Sequence, residues 1–148
     1  MDALDLLHED HEKVKELFEQ AKGIDDQKEK EKIFEEINSE LETHARIEET
    51  VFYPAMQEHD ELKDMVLESL EEHKQIKTML REIDNLKSES EKFDPKLKLL
   101  MENVEHHAVG EEEEIMFPKI REICSQDDLD QLGDELEKAK NKTQRKAS

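Results

Sequence analysis

The segment His44-Ala-Arg-Ile-Glu48-Glu49, closing on Phe52-Tyr53-Pro54, returns later in the chain as His107-Ala-Val-Gly-Glu111-Glu112, closing on Met116-Phe117-Pro118. The offset is 63 at the histidine and first glutamate and 64 at the proline. Upstream of each copy stands a second matching pair, His11-Glu-Lys-Val-Lys15 and His73-Lys-Gln-Ile-Lys77, at an offset of 62. Both half-chains therefore carry the same order of metal-competent side chains. Solvated surface charge has no physical reason to repeat in register, whereas two symmetric ligand-bearing units do.

Each histidine lies on an apolar stripe with helical spacing. Leu4, Leu7, His11, Val14 and Phe18 mark a first helix from about Asp2 to Lys22, which Gly23 ends as a C′ glycine. Asp25 or Asp26 caps a second helix to about Gln57, with the stripe Ile33, Ile37, Leu41, His44, Glu48, Val51 and Ala55. Asp60 caps a third, to about Lys87, carrying Leu62, Val66, Leu70, His73, Ile76, Leu80 and Ile83. Ser88 to Glu91 reads as a polar connection. Asp94-Pro95 starts a fourth helix, a cap followed by proline at the first helical position. Its stripe is Leu97, Leu100, Val104, His107, Glu111 and Ile115, and it ends near Ile123. A shorter helix from about Asp127 to Lys140 presents Leu129, Leu132 and Leu136, and Asn141 to Ser148 reads as a frayed basic tail.

Four long helices with one stripe each predict an all-α, up-down-up-down four-helix bundle with an internal two-fold repeat and a short extra C-terminal helix. The bundle takes residues 1–124, and the extra helix and tail take 125–148. The C-terminal leucines either cover one end of the bundle or mediate dimerisation, so monomer and homodimer both stand. Hydrophobic content of 34% against 43% charged would suit disorder if the apolar residues were scattered, but here they are concentrated into narrow stripes. The net charge of −20 argues against nucleic acid and anionic membranes as partners. A single cysteine, Cys124, excludes an internal disulfide and cysteine-rich metal sites. No long apolar run spans a membrane and no secretory segment is visible, which predicts a cytoplasmic protein.

Residues four apart in a helix share a face, so His44 and Glu48 can aim at one point, as can His107 and Glu111. His11 and His73 add to them from the other two helices. Facing buried glutamates would repel and resist ionisation, and cations between them remove the conflict. Any one histidine on an apolar stripe reads by itself as a hydrogen-bonded core residue. It is the four-fold arrangement that points to metal. Counting back from the prolines pairs Glu48 with Glu112 rather than Glu111, because the fourth helix has gained one residue. A π-bulge near Gly110 would absorb it. Glu111 keeps the four-residue spacing and ranks first, with Glu112 as its competitor, while Glu113 and Glu114 read as a solvated face. His8 reads as a surface residue, and His59 as a cationic or capping residue at a helix end. His106 reads as a residue behind the ligands or an alternative ligand. Tyr53 and Phe117 read as packing residues, with hydrogen bonding or ligation as the alternative for Tyr53.

The segments Leu6-Leu7-His8-Glu9-Asp10-His11, His44 to Glu49 with Phe52-Tyr53-Pro54, Glu72-His73, and His106-His107 with Glu111-Glu112 and Phe117-Pro118 resemble the hemerythrin family, specifically bacterial proteins with a cation-binding HHE domain. The resemblance covers roughly residues 1–124. It implies an up-and-down bundle around two non-haem iron ions, an oxo- or hydroxo-bridged di-iron centre. The implied ligands are His11, His44, Glu48, His73, His107 and Glu111 or Glu112. Oxygen-carrying relatives have a further histidine one turn after the third-helix ligand, and that slot is Lys77 here. The resemblance therefore implies iron binding with dioxygen, peroxide or another small ligand as partner, rather than reversible oxygen transport. The alternative it leaves is an iron-binding stress-response, sensing or delivery module without turnover. A purely structural acidic bundle is the third reading.

Overall fold

The computed structural model describes residues 1–86 and 90–147. Lys87, Ser88, Glu89 and Ser148 lie outside them, and with them part of the expected polar connection, the expected end of the third helix and the end of the tail.

Helix α1 spans Ala3–Lys22, and the Asp2 side chain caps it by accepting the Asp5 N–H at 2.8 Å. Helix α2 spans Gln27–Ile47, and Asp26 is its cap, accepting from the Glu29 N–H at 3.0 Å. A π-helical segment, Glu48–Phe52, continues α2 without a break into α3, Tyr53–Met56. A 3₁₀ turn at Asp60–Leu62 leads into α4, Lys63–Asp84. Helix α5, Phe93–Glu105, runs on through a longer π-helical segment, His106–Met116, into α6, Phe117–Ile123. Helix α7 is Gln126–Ala147. The four expected rods are thus α1, α2 with α3, α4, and α5 with α6, and no strand occurs among the described residues.

Several local expectations change. Gly23 does end α1, but at φ −94° and ψ 2°, so it uses none of glycine's left-handed freedom. Helix α5 begins one residue before Asp94, because Phe93 is buried and its N–H is held by the Ser90 carbonyl at 3.2 Å. The segment expected to fray after Lys140 continues as helix to Ala147. The stripe of the fourth rod slips by one residue beyond His107. Ile115 is 55% exposed and Met116 is 2% exposed, where an unbroken α period expects the reverse. The π turns cause the slip, since an i→i+5 pattern places one more residue in the turn than an α-helix does.

The core has two apolar clusters. One contains Leu4, Leu7, Ile47, Phe52, Leu62, Val66, Met116 and Ile120. The other contains Val14, Phe18, Ile37, Leu41, Ile76, Leu80 and Leu100. In every rod the metal-competent residues fall between the two, so the site is a polar layer in mid-bundle, screened from water on both sides. Leu129, Leu132 and Leu136 of α7 are buried in the first cluster, and α7 packs on α1 and α2. The C-terminal leucines therefore cover this chain's own bundle. No helix of the described residues is long and apolar enough to cross a membrane.

Candidate metal centre

His11, His44, His73 and His107 all turn Nε2 toward the middle of the layer. His11 Nε2 and His44 Nε2 are 3.1 Å apart, and His73 Nε2 and His107 Nε2 are 3.0 Å apart. At that distance two imidazole nitrogens share one proton in an N–H···N hydrogen bond or face a common cation. Two ligands each about 2.1 Å from a shared cation, at right angles, stand about 3 Å apart. Glu48 and Glu112 lie between the pairs with no exposed surface. Glu48 Oε1 is 3.2 Å from His44 Nε2 and 3.1 Å from His73 Nε2. Glu112 Oε1 is 3.2 Å from His11 Nε2, and its Oε2 is 3.6 Å from His107 Nε2. Two groups in the layer, His11–His44–Glu48–Glu112 and Glu48–His73–His107–Glu112, share both carboxylates, and a third, Glu72–His107–Glu111, lies at its edge.

The structure brings together six of the seven residues expected at the site. Glu111 stands outside the two groups that share Glu48 and Glu112, in the partly buried group with Glu72 and His107. Its carboxylate faces outward, 3.0 Å from His106 Nε2 and beside Glu72. Burial and the Glu72 charge push Glu111 up to about 7. Glu112 takes the place facing Glu48, because the π turn after His107 brings the fifth residue, not the fourth, onto the histidine's face.

A second circle of carboxylates lies behind the first. His44 Nδ1 is 3.0 Å from Asp10 Oδ2, His73 Nδ1 2.7 Å from Glu49 Oε2, His107 Nδ1 2.7 Å from Glu72 Oε1, and His11 Nδ1 2.7 Å from Glu113 Oε2. Each carboxylate sits on the rod before the histidine it holds, and the circle closes from Glu113 back to α1. An acceptor at Nδ1 keeps a proton there and turns Nε2 inward, the arrangement typical of metal-ligating histidines. Sequence reasoning missed these four residues and read Glu113 as solvated. A signal for them existed, however. Asp10, Glu49, Glu72 and Glu113 each adjoin an inner residue: His11, Glu48, His73 and Glu112.

Carboxylates and imidazoles in the layer shift one another's titration. Burial opposes charge on His44, but Glu48 and Asp10 outweigh it and hold the imidazole well above its ordinary value. His73 is likewise opposed by burial, yet Glu48 and Glu49 raise it to about 9. Burial pushes Glu48 up, while His44 and His73 more than reverse this and hold it well below the usual carboxylate range. Glu48 Oε2 and Glu112 Oε1 are buried and accept no well-directed hydrogen bond, although His11 Nε2 stands 3.2 Å from Glu112 Oε1. Four imidazoles and two carboxylates with free lone pairs are a donor set that fits two metal ions.

Tyr53 is more than a packing residue. It is 1% exposed, and its hydroxyl donates to Glu112 Oε2 at 2.5 Å. Burial, together with the Glu112 and Glu48 charges, pushes its pKa well up and keeps it a donor. Phe117 packs parallel to His11 with ring centres 6.3 Å apart. Lys77 does not enter the layer. It binds both oxygens of Glu49 at 2.8 Å, behind His73. His8 also pairs with Glu113, and His59 Nε2 lies 3.6 Å from Cys124 Sγ. A cavity of about 40 Å³ adjoins the four histidines, walled by Val14, Leu41, Ile76, Leu80, Val104 and Ala108. A cleft of about 230 Å³ between α1 and α5 shares His11, Val14, Val104 and Ala108 with it.

A mid-bundle layer of histidine and glutamate, contributed by all four rods, defines a class of helical-bundle metal proteins. The chain belongs to the hemerythrin family: the model of the hemerythrin HHE cation binding domain matches residues 2–120. The chain is 29% identical over 146 residues to a protein of Nostoc sp. named DNA nickase, covering 99% of this chain and 41% of that protein's length. It is 27% identical over 138 residues to an uncharacterized hemerythrin-like protein of Schizosaccharomyces pombe, covering 92% of this chain and 68% of the relative. The crystal structure of a hemerythrin HHE cation binding domain-containing protein from Mycobacterium kansasii shares the fold, with a TM-score of 0.88 at 23% identity over 99% of this chain and 90% of that one.

Proposed function

We propose that this chain is a non-haem di-iron protein that binds or reacts with dioxygen or peroxide in the bundle core. The observation that carries the reading is the pair of ligand groups joined by Glu48 and Glu112. His11 and His44 would hold one ion, and His73 and His107 the other, with both glutamates spanning the two. Iron at these positions would supply the redox chemistry toward the oxidant. The protein's own part is orientation. Asp10, Glu49, Glu72 and Glu113 fix the imidazoles, and the Tyr53 hydroxyl donates a hydrogen bond to Glu112 Oε2. The cavity of about 40 Å³, walled mostly by apolar side chains, leaves room for a ligand of two or three atoms beside the histidines.

Nicking of DNA is not carried over to this chain. The relative so named is much longer, and a net charge of −20 repels a phosphate backbone.

The test is the iron content and visible spectrum of aerobically purified protein, followed by addition of azide and of peroxide. About two irons per chain, with bands that azide shifts, would support the reading. Colourless protein that takes no iron under anaerobic reconstitution would overturn it. Peroxide consumed while the iron stays bound marks turnover. Iron readily lost to a chelator, with no peroxide consumed, marks the sensing or delivery alternative.

A further inference from the structure

Helix α7 lies beyond residues 2–120, the stretch that matches the family, yet one of its side chains reaches the circle of carboxylates behind the histidines. Lys140 Nζ pairs with Asp10 Oδ1, and Asp10 Oδ2 holds His44 Nδ1 at 3.0 Å. Asp10 is only 5% exposed, so this pair is screened from solvent far better than a surface ion pair. Leu136 stands one turn before Lys140 and is completely buried in the core, so the packed face of α7 delivers the ammonium group to Asp10. Two of the other three corners differ in origin. Glu49 is held by Lys77 and Glu113 by His8, both from the bundle rods themselves.

We propose that Lys140 is a positioning residue of the metal centre, acting through Asp10 on His44, and that α7 is thereby a working part of the site rather than a cover alone. The proposal rests on the metal reading above. An ammonium group on Oδ1 fixes the carboxylate plane, leaving Oδ2 directed at His44 and Nε2 directed at Glu48. Without it, the Asp10 carboxylate is held at Oδ2 alone, and the His44 ring that it orients is less firmly set. Coupling of this kind is reciprocal: if docked Lys140 favours metal, bound metal must favour docked α7 by the same factor.

The experiment uses the full chain and cobalt(II) as the probe metal, titrated against a competing chelator. Hydrogen exchange of the amides in residues 136–143 is followed with and without cobalt. Asp10→Asn is expected to weaken cobalt binding by about 10–100-fold, as loss of a partner behind a ligand does. Lys140→Met, which keeps the apolar stem, is expected to weaken it by about 10-fold, at the low end of that range. Lys140→Arg is expected to recover most of the loss. In the wild type, cobalt should slow exchange in residues 136–143, and Lys140→Met should abolish that slowing while circular dichroism and Tm show α7 still folded. If Lys140→Met binds cobalt as the wild type does and α7 exchange ignores the metal in both, Lys140 is not a positioning residue. If the wild type itself binds no metal, the reading of the whole site falls and this assignment falls with it.

Discussion

Glu112 stands five residues after His107, yet the two share a face, with Glu112 Oε2 3.6 Å from His107 Nε2 and Oε1 reaching to 3.2 Å from His11 Nε2. In an α-helix of about 3.6 residues per turn the fifth residue points well away. The π-helical segment His106–Met116 removes that difference. Glu111 and Glu112 can therefore be told apart by substitution. Glu112→Gln should cut the metal content to half or less of the wild-type value, because one carboxylate shared by both ion positions is lost. Glu111→Gln should leave it unchanged. Metal analysis of both variants checks this, and a loss confined to Glu111→Gln would refute the assignment.

The Tyr53 hydroxyl joins the apolar cluster of α1, α3 and α6 to the polar layer. Tyr53→Phe keeps the ring and removes only the donor to Glu112 Oε2. A hydrogen bond to a buried charged group is worth roughly 1–3 kcal/mol, so metal-free Tyr53→Phe should be less stable by that amount in urea, with an unchanged slope. In iron-loaded protein, the variant should keep its metal and shift its visible bands. An unaltered spectrum and unaltered stability would return Tyr53 to a packing role.

The pattern of the repeat made four rods and all six converging residues legible, with Glu112 ranked behind Glu111, because α1, α2 and α4 keep the 3.6-residue period up to their histidines. Leu4, Leu7, His11, Val14 and Phe18 are all buried as their spacing expects. The reading loses register where the helix widens. Ile115 and Met116 exchange places, and Glu111 yields the inner position to Glu112, since a period fitted to α geometry cannot describe a π turn. The extra residue before Pro118 was visible, but which carboxylate it moved inward was not. The second circle was hidden for another reason. In a chain with 42 acidic residues, Asp10, Glu49, Glu72 and Glu113 look like solubility charge until their adjacency to inner residues is noticed. Lys140 carried no local signal at all, because its partner lies 130 positions away.

Gly133 lies where α7 crosses the start of α1. A methyl group there would stand 2.3 Å from the Met1 carbonyl oxygen and 2.9 Å from the Asp2 carbonyl carbon, both backbone atoms. In an exposed helix Gly→Ala stabilises by about 1 kcal/mol. Here the close approach should reverse the sign, because α7 must lift from α1 to make room. Gly133→Ala is expected to lose about 1–3 kcal/mol, as overpacked sites do. Urea denaturation measures it, and a gain in stability would show that α7 does not press on α1 this closely.

Asp2 ties the same corner together and should make it sensitive to acid. Its carboxylate caps α1, and its Oδ2 accepts from Arg121 of α6 at 3.1 Å and from Gln126 of α7 at 3.0 Å. Burial pushes its pKa up, but the Gln126, Asp5 N–H and Arg121 partners outweigh this and hold it below the ordinary 3.8. A carboxylate with a depressed folded value stabilises the fold above its unfolded value, and that stabilisation is lost as pH falls through the folded one. Asp2→Asn retains a capping oxygen but cannot carry the charge that Arg121 faces. The wild type should therefore exceed Asp2→Asn in stability at pH 6, and the gap should close on acidification below pH about 4. Tm measured for both proteins across that range decides the matter. A gap that is constant with pH would mean that Asp2 acts through its hydrogen bonds alone and not through its charge.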